Sequence, residues 1–180
     1  MIPVFKPILK NKDIKAAFDT IKKGEISGTY AKSINRLEKN FSKFNKTKFS
    51  VSVSSGTTAL HLAISCLNLP KGSEVLVSST TNIATGLAVT HNNLFPKFID
   101  SKIDTWNIDE KSIEERITKK TKAIIAVHFL GNPCNMNAIL KIVKKYKLYL
   151  IEDCTEAHGA MYGNRMVGSF GIAGCYSFYA

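Results

Sequence analysis

Two stretches carry residues whose types and spacing could do chemistry. In the first, Leu148, Tyr149, Leu150 and Ile151 form an apolar run that ends abruptly in two acids, Glu152 and Asp153, before a small polar loop. A carboxylate at the last position of a buried strand either caps the turn after its own strand or is aimed at something positive. In the second, Phe49, Val51 and Val53 alternate as a strand and lead into Ser54-Ser55-Gly56-Thr57-Thr58, which turns directly into a helical run through Leu67. Glycine at such a junction lets the backbone approach a ligand closely. The amides at the helix start, together with the helix dipole, favour a phosphate. The hydroxyls of Ser55, Thr57 and Thr58 add donors. No Gly-Lys-Ser/Thr follows, so the turn is not a Walker loop, and the same residues would serve equally as a plain helix cap.

Taken together the two stretches ask for more than either does alone. Ligands of open α/β sheets sit at the carboxyl ends of strands. One strand end that grips a phosphate and another that presents a carboxylate can hold the two ends of one flat cofactor. Pyridoxal 5'-phosphate makes that demand: a cradle for its phosphate, and an anion beside its ring nitrogen to keep the nitrogen protonated and the ring an electron sink.

The elements that must position these residues follow from periodicity. Met1–Leu9, with Pro3 and Pro7, reads as an extended arm. Ile14, Ala17, Phe18 and Ile21 recur at helical spacing between Asp13 and Gly24, and Ile34, Leu37, Phe41 and Phe44 repeat that period over about 31–44, with a loop at Gly24–Thr29 between. Beyond the Gly56 turn, Glu74–Val77 reads as a strand and Asn82–His91 as a helix with Ile83, Leu87 and Ala88 inward. Leu94–Ile99 is a strand, Asp109–Ile117 a polar helix and Ala123–Phe129 a strand buried on both faces. Asn135 caps a helix with Met136, Ile139, Leu140, Val143 and Tyr146 apolar, Leu148–Ile151 is the next strand, and Cys175–Tyr179 is the last apolar run. Strand and helix alternate throughout, the pattern of a doubly wound, mostly parallel α/β sheet flanked by helices.

Composition narrows the class without choosing the function. A chain of 180 residues, 44% hydrophobic and 22% charged, suits one ordinary globular domain with a full core. No apolar stretch has the length of a membrane span and the N-terminus lacks a signal-peptide layout, which points to the cytoplasm. Cys66, Cys134, Cys154 and Cys175 are far apart, without metal-type pairing, and read as reduced thiols. The net charge of +11 rests on lysines spread over polar helix faces. Lys141, Lys144, Lys145 and Lys147 form a solvated face rather than a nucleic-acid patch, while the positive field would also attract phosphate-bearing small molecules. His128, at a buried strand end, reads as a core histidine bonded to backbone, and His61 as packing. His158 adjoins the presumed site without a defined role, and Trp106 reads as a packing anchor.

Several motifs in chain order resemble a known family. Ser55–Leu62 (SGTTALHL), Thr105–Asp109 (TWNID), Thr121–Ile125 (TKAII), Glu152-Asp153 with Ala157–Ala160 (AHGA), and Gly174–Tyr179 (GCYSFY) resemble the DegT/StrS-type sugar aminotransferases. Ile2–Pro7 and the Gly24–Gly28 loop fit as well. The perosamine-synthase-like members are the most similar, partly through Glu156. The resemblance implies the large domain of a fold type I transferase that binds pyridoxal 5'-phosphate. By position, Gly56, Thr57 and Thr58 would hold the phosphate with help from the Ser177 hydroxyl. Asp153 would pair with the pyridine nitrogen, and Glu156 would sit at the ring hydroxyl. Glu156 stands where many members have glutamine, and a glutamate facing a phenolate must be protonated or turned away. Asn82 completes the implied cofactor-binding set, and it stands where many members supply an aromatic ring to stack on the cofactor.

The Schiff-base lysine of the family is expected just after Ala180, so the resemblance places no catalytic residue within the chain, which would be inactive alone. It implies that residues 1–180 hold the N-terminal arm and most of the cofactor-binding domain, truncated before that lysine and without the smaller C-terminal domain. The implied reaction is amine transfer to a nucleotide-linked keto-deoxysugar, 4-keto rather than 3-keto, in amino-sugar and polysaccharide biosynthesis. The implied amino donor is glutamate and the implied assembly a homodimer, with no metal, nucleic acid or membrane. A dehydratase of the same family, with histidine in place of the lysine, is the rival enzyme. A truncated binding or regulatory relative is the rival from another class.

Overall fold

Isoleucine, valine and alanine concentrate in short runs that pair into one five-stranded parallel sheet: β1 (Glu74–Ser78), β2 (Phe95–Ile99), β3 (Thr121–Val127), β4 (Tyr149–Asp153) and, after a two-stranded ribbon of β5 (Met161–Tyr162) and β6 (Arg165–Met166), β7 (Ala173–Cys175). The strand order is β2-β1-β3-β4-β7. The computed structural model describes residues 8–28 and 31–178. Contacts divide the chain into two units, residues 53–179, which hold the sheet, and residues 1–52 with residue 180.

Both faces of the sheet are covered, so its strands carry apolar residues at consecutive positions. Val75 and Val77 pack on one side with Ile125 and Ile151, against α3 (Gly56–Ser65) and α4 (Ile83–Thr90). Leu76, Ile124 and Leu150 alternate to the other side, where α5 (Glu110–Arg116) and α6 (Met136–Tyr146) cover them. Each of these helices starts on a polar side chain that accepts an amide proton two or three residues on: Ser55, Asn82, Asp109 and Asn135. Among the described residues, no helix is long and apolar enough to cross a membrane.

The first unit holds α1 (Asn11–Lys22) and α2 (Lys32–Asn45), as helical spacing predicts, with Gly24 in a left-handed turn just beyond α1. The apolar stripe Ile14, Phe18 and Ile21 is exposed. The arm expected at Met1–Leu9 lies, up to Pro7, outside the described residues, as do Thr29, Tyr30, Tyr179 and Ala180.

Two expectations are corrected. The strand expected at Phe49, Val51 and Val53 does not form, and these side chains face outward. The alternation is real but inverted: Ser50 and Ser52 turn inward to Glu38 of α2, which accepts from both serine hydroxyls and from the Ser52 amide at 2.8 Å. In α4 the buried face is Thr85, Ala88 and Val89, whereas Ile83 is 74% exposed. The Asn82 cap sets that phase. The buried Thr85 hydroxyl is compensated by a hydrogen bond to the sheet, so polarity did not push this face outward.

Candidate functional site

The end of β4 turns two neighbouring carboxylates to opposite sides of the sheet, because successive strand residues alternate. Glu152 follows Leu150 onto the α5–α6 side. Its Oε1 accepts from the amides of Phe170 (2.6 Å) and Gly171 (2.7 Å), and its Oε2 from the Gly168 amide (2.7 Å) and His128 Nε2 (3.2 Å). His128 Nδ1 accepts from the Cys134 amide at 3.1 Å, so the ring proton lies on Nε2 and points at Glu152. The expected backbone partner of His128 is therefore present, together with a buried acid. His128, Glu152 and Cys154 offer donor atoms within 4.8 Å of one another. Both ring nitrogens and all four carboxylate lone pairs are already engaged, and burial pushes the Cys154 thiol well above its ordinary range. This cluster holds protein together rather than a cation.

Asp153 follows Ile151 onto the α3–α4 side and is 2% exposed. Its Oδ1 accepts from the amide (3.1 Å) and hydroxyl (2.7 Å) of Thr155, and its Oδ2 from the hydroxyl of Thr85 at 2.7 Å. A carboxylate offers about four lone-pair positions. Among the described residues three are filled, and the one left open is on Oδ2.

The N-terminus of α3 comes to the same place. A Cβ on Gly56 would lie 2.8 Å from Ser177 Cβ and 3.0 Å from Thr155 Cγ2, so only glycine lets the helix start sit against both. Ser55 caps the helix by accepting from the Thr58 amide at 3.1 Å, and the Thr58 hydroxyl lies 3.0 Å from Ser55 Oγ. The amides of Gly56 and Thr57 precede the first residue that can bond back within the helix. Gly56, Asp153 and Ser177 are thus linked through Thr155. Ser177 shares a cleft of about 400 Å³ with Thr155, Glu156, His158 and Phe178. Glu156 is exposed, and its Oε2 accepts from the Leu130 amide at 2.9 Å. Asn82 caps α4 through Oδ1, three residues before Thr85.

The remaining groups set the electrostatics. His158 packs its ring 5.3 Å from those of Tyr176 and Phe178, and burial lowers its pKa from the ordinary histidine value. Burial pushes the Cys175 thiol up to about 12, with the Asp153 charge adding to it, and Cys134 likewise to about 12 with help from Glu152. Thiols so shifted are not nucleophiles near neutral pH. Trp106 takes a left-handed backbone conformation, half exposed, with its ring 5.9 Å from Phe129.

Among the described residues the arrangement is a buried acid with one open acceptor, beside a serine hydroxyl and a helix start whose amides have no partner. The family model of the DegT/DnrJ/EryC1/StrS aminotransferases matches residues 7–180. The chain belongs to that family. Its sequence is 39% identical over 180 residues to a GDP-perosamine synthase of Escherichia coli O157:H7, covering 99% of this chain and 49% of that protein. Its structure superposes on an aminotransferase from Psychrobacter cryohalolentis with a TM-score of 0.93 at 34% identity, over 96% of this chain and 44% of that one. A GDP-4-keto-6-deoxy-D-mannose-3-dehydratase of E. coli, solved with bound hydrated PLP, matches at a TM-score of 0.86 and 33% identity, over 94% of this chain and 44% of that one. The chain spans about half the length of the relatives it matches.

Within this DegT/DnrJ/EryC1/StrS chain, two hydroxyls that sequence reasoning passed over stand on Asp153. Thr155 had a local signal, since a threonine two residues after a strand-end aspartate readily bonds back to it. Thr85 had a weaker one, a hydroxyl on the apolar face of a helix. The donors that surround Glu152 had none, because three of the four are backbone amides.

Proposed function

We propose that the protein is a pyridoxal-phosphate-dependent aminotransferase that converts a nucleotide-linked 4-keto-deoxysugar to its amino sugar with glutamate as donor. The observation that carries this reading is the Asp153 carboxylate, buried, held by three donors and open at one lone pair of Oδ2. When bound, the cofactor supplies an electron sink for the carbon that loses its proton. Asp153 Oδ2 would accept the ring N–H and keep that proton in place. The amides of Gly56 and Thr57, with the hydroxyls of Thr58 and Ser177, would hold the phosphate at the positive end of α3. Glu156 would sit at the ring-hydroxyl side, where its Oε2 already accepts from the Leu130 amide. Asn82, which caps α4 through Oδ1, would border the cofactor without an aromatic ring to stack on it.

The reading takes residues 1–180 as part of a longer protein whose Schiff-base lysine follows the Ser177 stretch and whose smaller domain lies beyond it. It further takes the protein to act as a cytoplasmic homodimer. The likeness to a GDP-4-keto-6-deoxy-D-mannose-3-dehydratase favours a second reading, removal of a sugar hydroxyl. One assay separates them. The intact protein is supplied with pyridoxal phosphate, glutamate and a GDP-linked 4-keto-6-deoxysugar, and the sugar product is identified by mass. An amino sugar formed together with 2-oxoglutarate supports the transferase. A product that has lost a hydroxyl supports the dehydratase, and neither product, from this sugar or from its dTDP-linked counterpart, defeats both.

A further inference from the structure

Thr85 lies on the buried face of α4 beside Ala88 and Val89 and has no exposed surface. Valine would fill nearly the same volume there without the cost of burying a hydroxyl. What the hydroxyl adds is one hydrogen bond, 2.7 Å to Asp153 Oδ2, made across 68 positions of sequence. A threonine has one hydroxyl proton, and that bond uses it. In the 2.8 Å contact between the Thr81 and Thr85 hydroxyls, Thr81 is therefore the donor. The result is a directed chain from Thr81 to Thr85 to Asp153, in which each bond polarises the next.

The other two donors to Asp153 both come from Thr155 and both fall on Oδ1. Thr155 belongs to the loop that follows β4 and so travels with Asp153. Thr85 belongs to another element, and its bond alone ties the carboxylate to α4. With donors on both oxygens, rotation about Cβ–Cγ breaks bonds at each end. The Thr85 bond also decides which acceptor remains, leaving a single open lone pair on the same Oδ2.

We propose that Thr85 is a positioning residue for the cofactor's ring nitrogen: it fixes the plane of the Asp153 carboxylate and leaves one lone pair of Oδ2 to receive the ring N–H. The inference rests on the reading of Asp153 as the partner of that nitrogen.

The test compares two ligands on the intact protein by equilibrium titration. One is pyridoxamine 5'-phosphate, which needs no covalent link to bind. The other is its carbocyclic analogue, with CH in place of the ring nitrogen. In Thr85→Val, affinity for pyridoxamine phosphate falls about tenfold, the scale of one hydrogen bond to a charged group, while affinity for the analogue changes less than about twofold. Thr85→Ser keeps the hydroxyl and restores the preference. Thr81→Val, which removes only the upstream donor, lowers the preference by a smaller factor and serves as the readout if Thr85→Val does not fold. Equal loss for both ligands would reduce Thr85 to a structural role and overturn the inference. So would a preference for the ring nitrogen that survives Thr85→Val. If the unaltered protein binds the two ligands equally well, the reading of Asp153 fails and takes this inference with it.

Discussion

Glu152 and Asp153 are neighbours on one strand, both acidic and both buried, yet the two sides of the sheet treat them differently. On the α5–α6 side Glu152 accepts four hydrogen bonds, three of them from amides of a single loop, 168–171. Its lone pairs are exhausted and its task is complete: the loop that leads into β7 is tied to the end of β4. On the α3–α4 side Asp153 accepts three, two from hydroxyls, and one position stays open. Burial does not separate a structural acid from a poised one, since both are buried. Counting donors against lone pairs does.

The largest effect should come from the acid that does no chemistry. Glu152→Ala leaves the Gly168, Phe170 and Gly171 amides and His128 Nε2 without their acceptor in a dry interior. A loss of about 3–5 kcal/mol is expected, enough to unfold many domains of this size. Denaturant unfolding of the variant checks this, and a change below about 1 kcal/mol would mean that water reaches the loop amides.

Asp153→Asn should show the opposite profile. Asparagine keeps an oxygen for Thr155, and the Thr85 hydroxyl can turn to accept from the new amide, so stability falls by only about 1 kcal/mol. Amine transfer should fall by about a hundredfold or more, because the ring proton loses its anion. Near-normal turnover would remove Asp153 from the site. Joint loss of fold and activity would erase the contrast with Glu152.

A smaller effect should follow at the glycine that brings α3 to this side. Gly56→Ala places a methyl group 2.8 Å from Ser177 Cβ and 3.0 Å from Thr155 Cγ2, closer than carbon atoms pack. The helix start must shift by a few tenths of an ångström, at a cost of about 1–3 kcal/mol. Titration with inorganic phosphate and with pyridoxamine phosphate should show both binding more weakly. If stability falls while neither affinity changes, the α3 amides are a cap and not a cradle.

How much of this was legible in the sequence depended on whether the signal was local. The strands were, because a parallel sheet covered on both faces leaves runs such as Ala123–Val127 that nothing else explains. So was Asp153 at the end of such a run, and so was the Asn135 cap. The Phe49–Val53 alternation misled because period two says that faces differ but not which face is inner, and here Glu38 drew the serines inward. The inward face of α4 misled because hydrophobicity favoured Ile83 and Leu87, while Thr85 had a partner 68 residues away that no periodicity announces. Glu152 was the least legible of all, since backbone amides at Gly168, Phe170 and Gly171 would be present whatever their side chains.

The smallest expected effect concerns His158, at the cleft edge beyond Asp153. The ring remains exposed on one side, and its partial burial beside Tyr176 and Phe178 lowers its pKa in the folded protein below the ordinary value of 6.5. Well above 6.5 the ring is neutral in both the folded and unfolded chain, and its full contribution to stability is present. As pH falls below that value the unfolded chain takes up the proton first, so the contribution declines, and it is lost as pH passes through the lower folded pKa. Carboxylates also titrate in acid, so the informative quantity is the difference in unfolding free energy between the unaltered protein and His158→Phe, followed from about pH 7 down to about pH 5. That difference should move against the unaltered protein as pH falls. A flat difference would mean that the imidazole stays hydrated in the cleft. The aromatic rings beside Ser177 would then provide no dry wall on the Asp153 side, and the contrast between a sealed acid and a poised one would rest on hydrogen bonds alone.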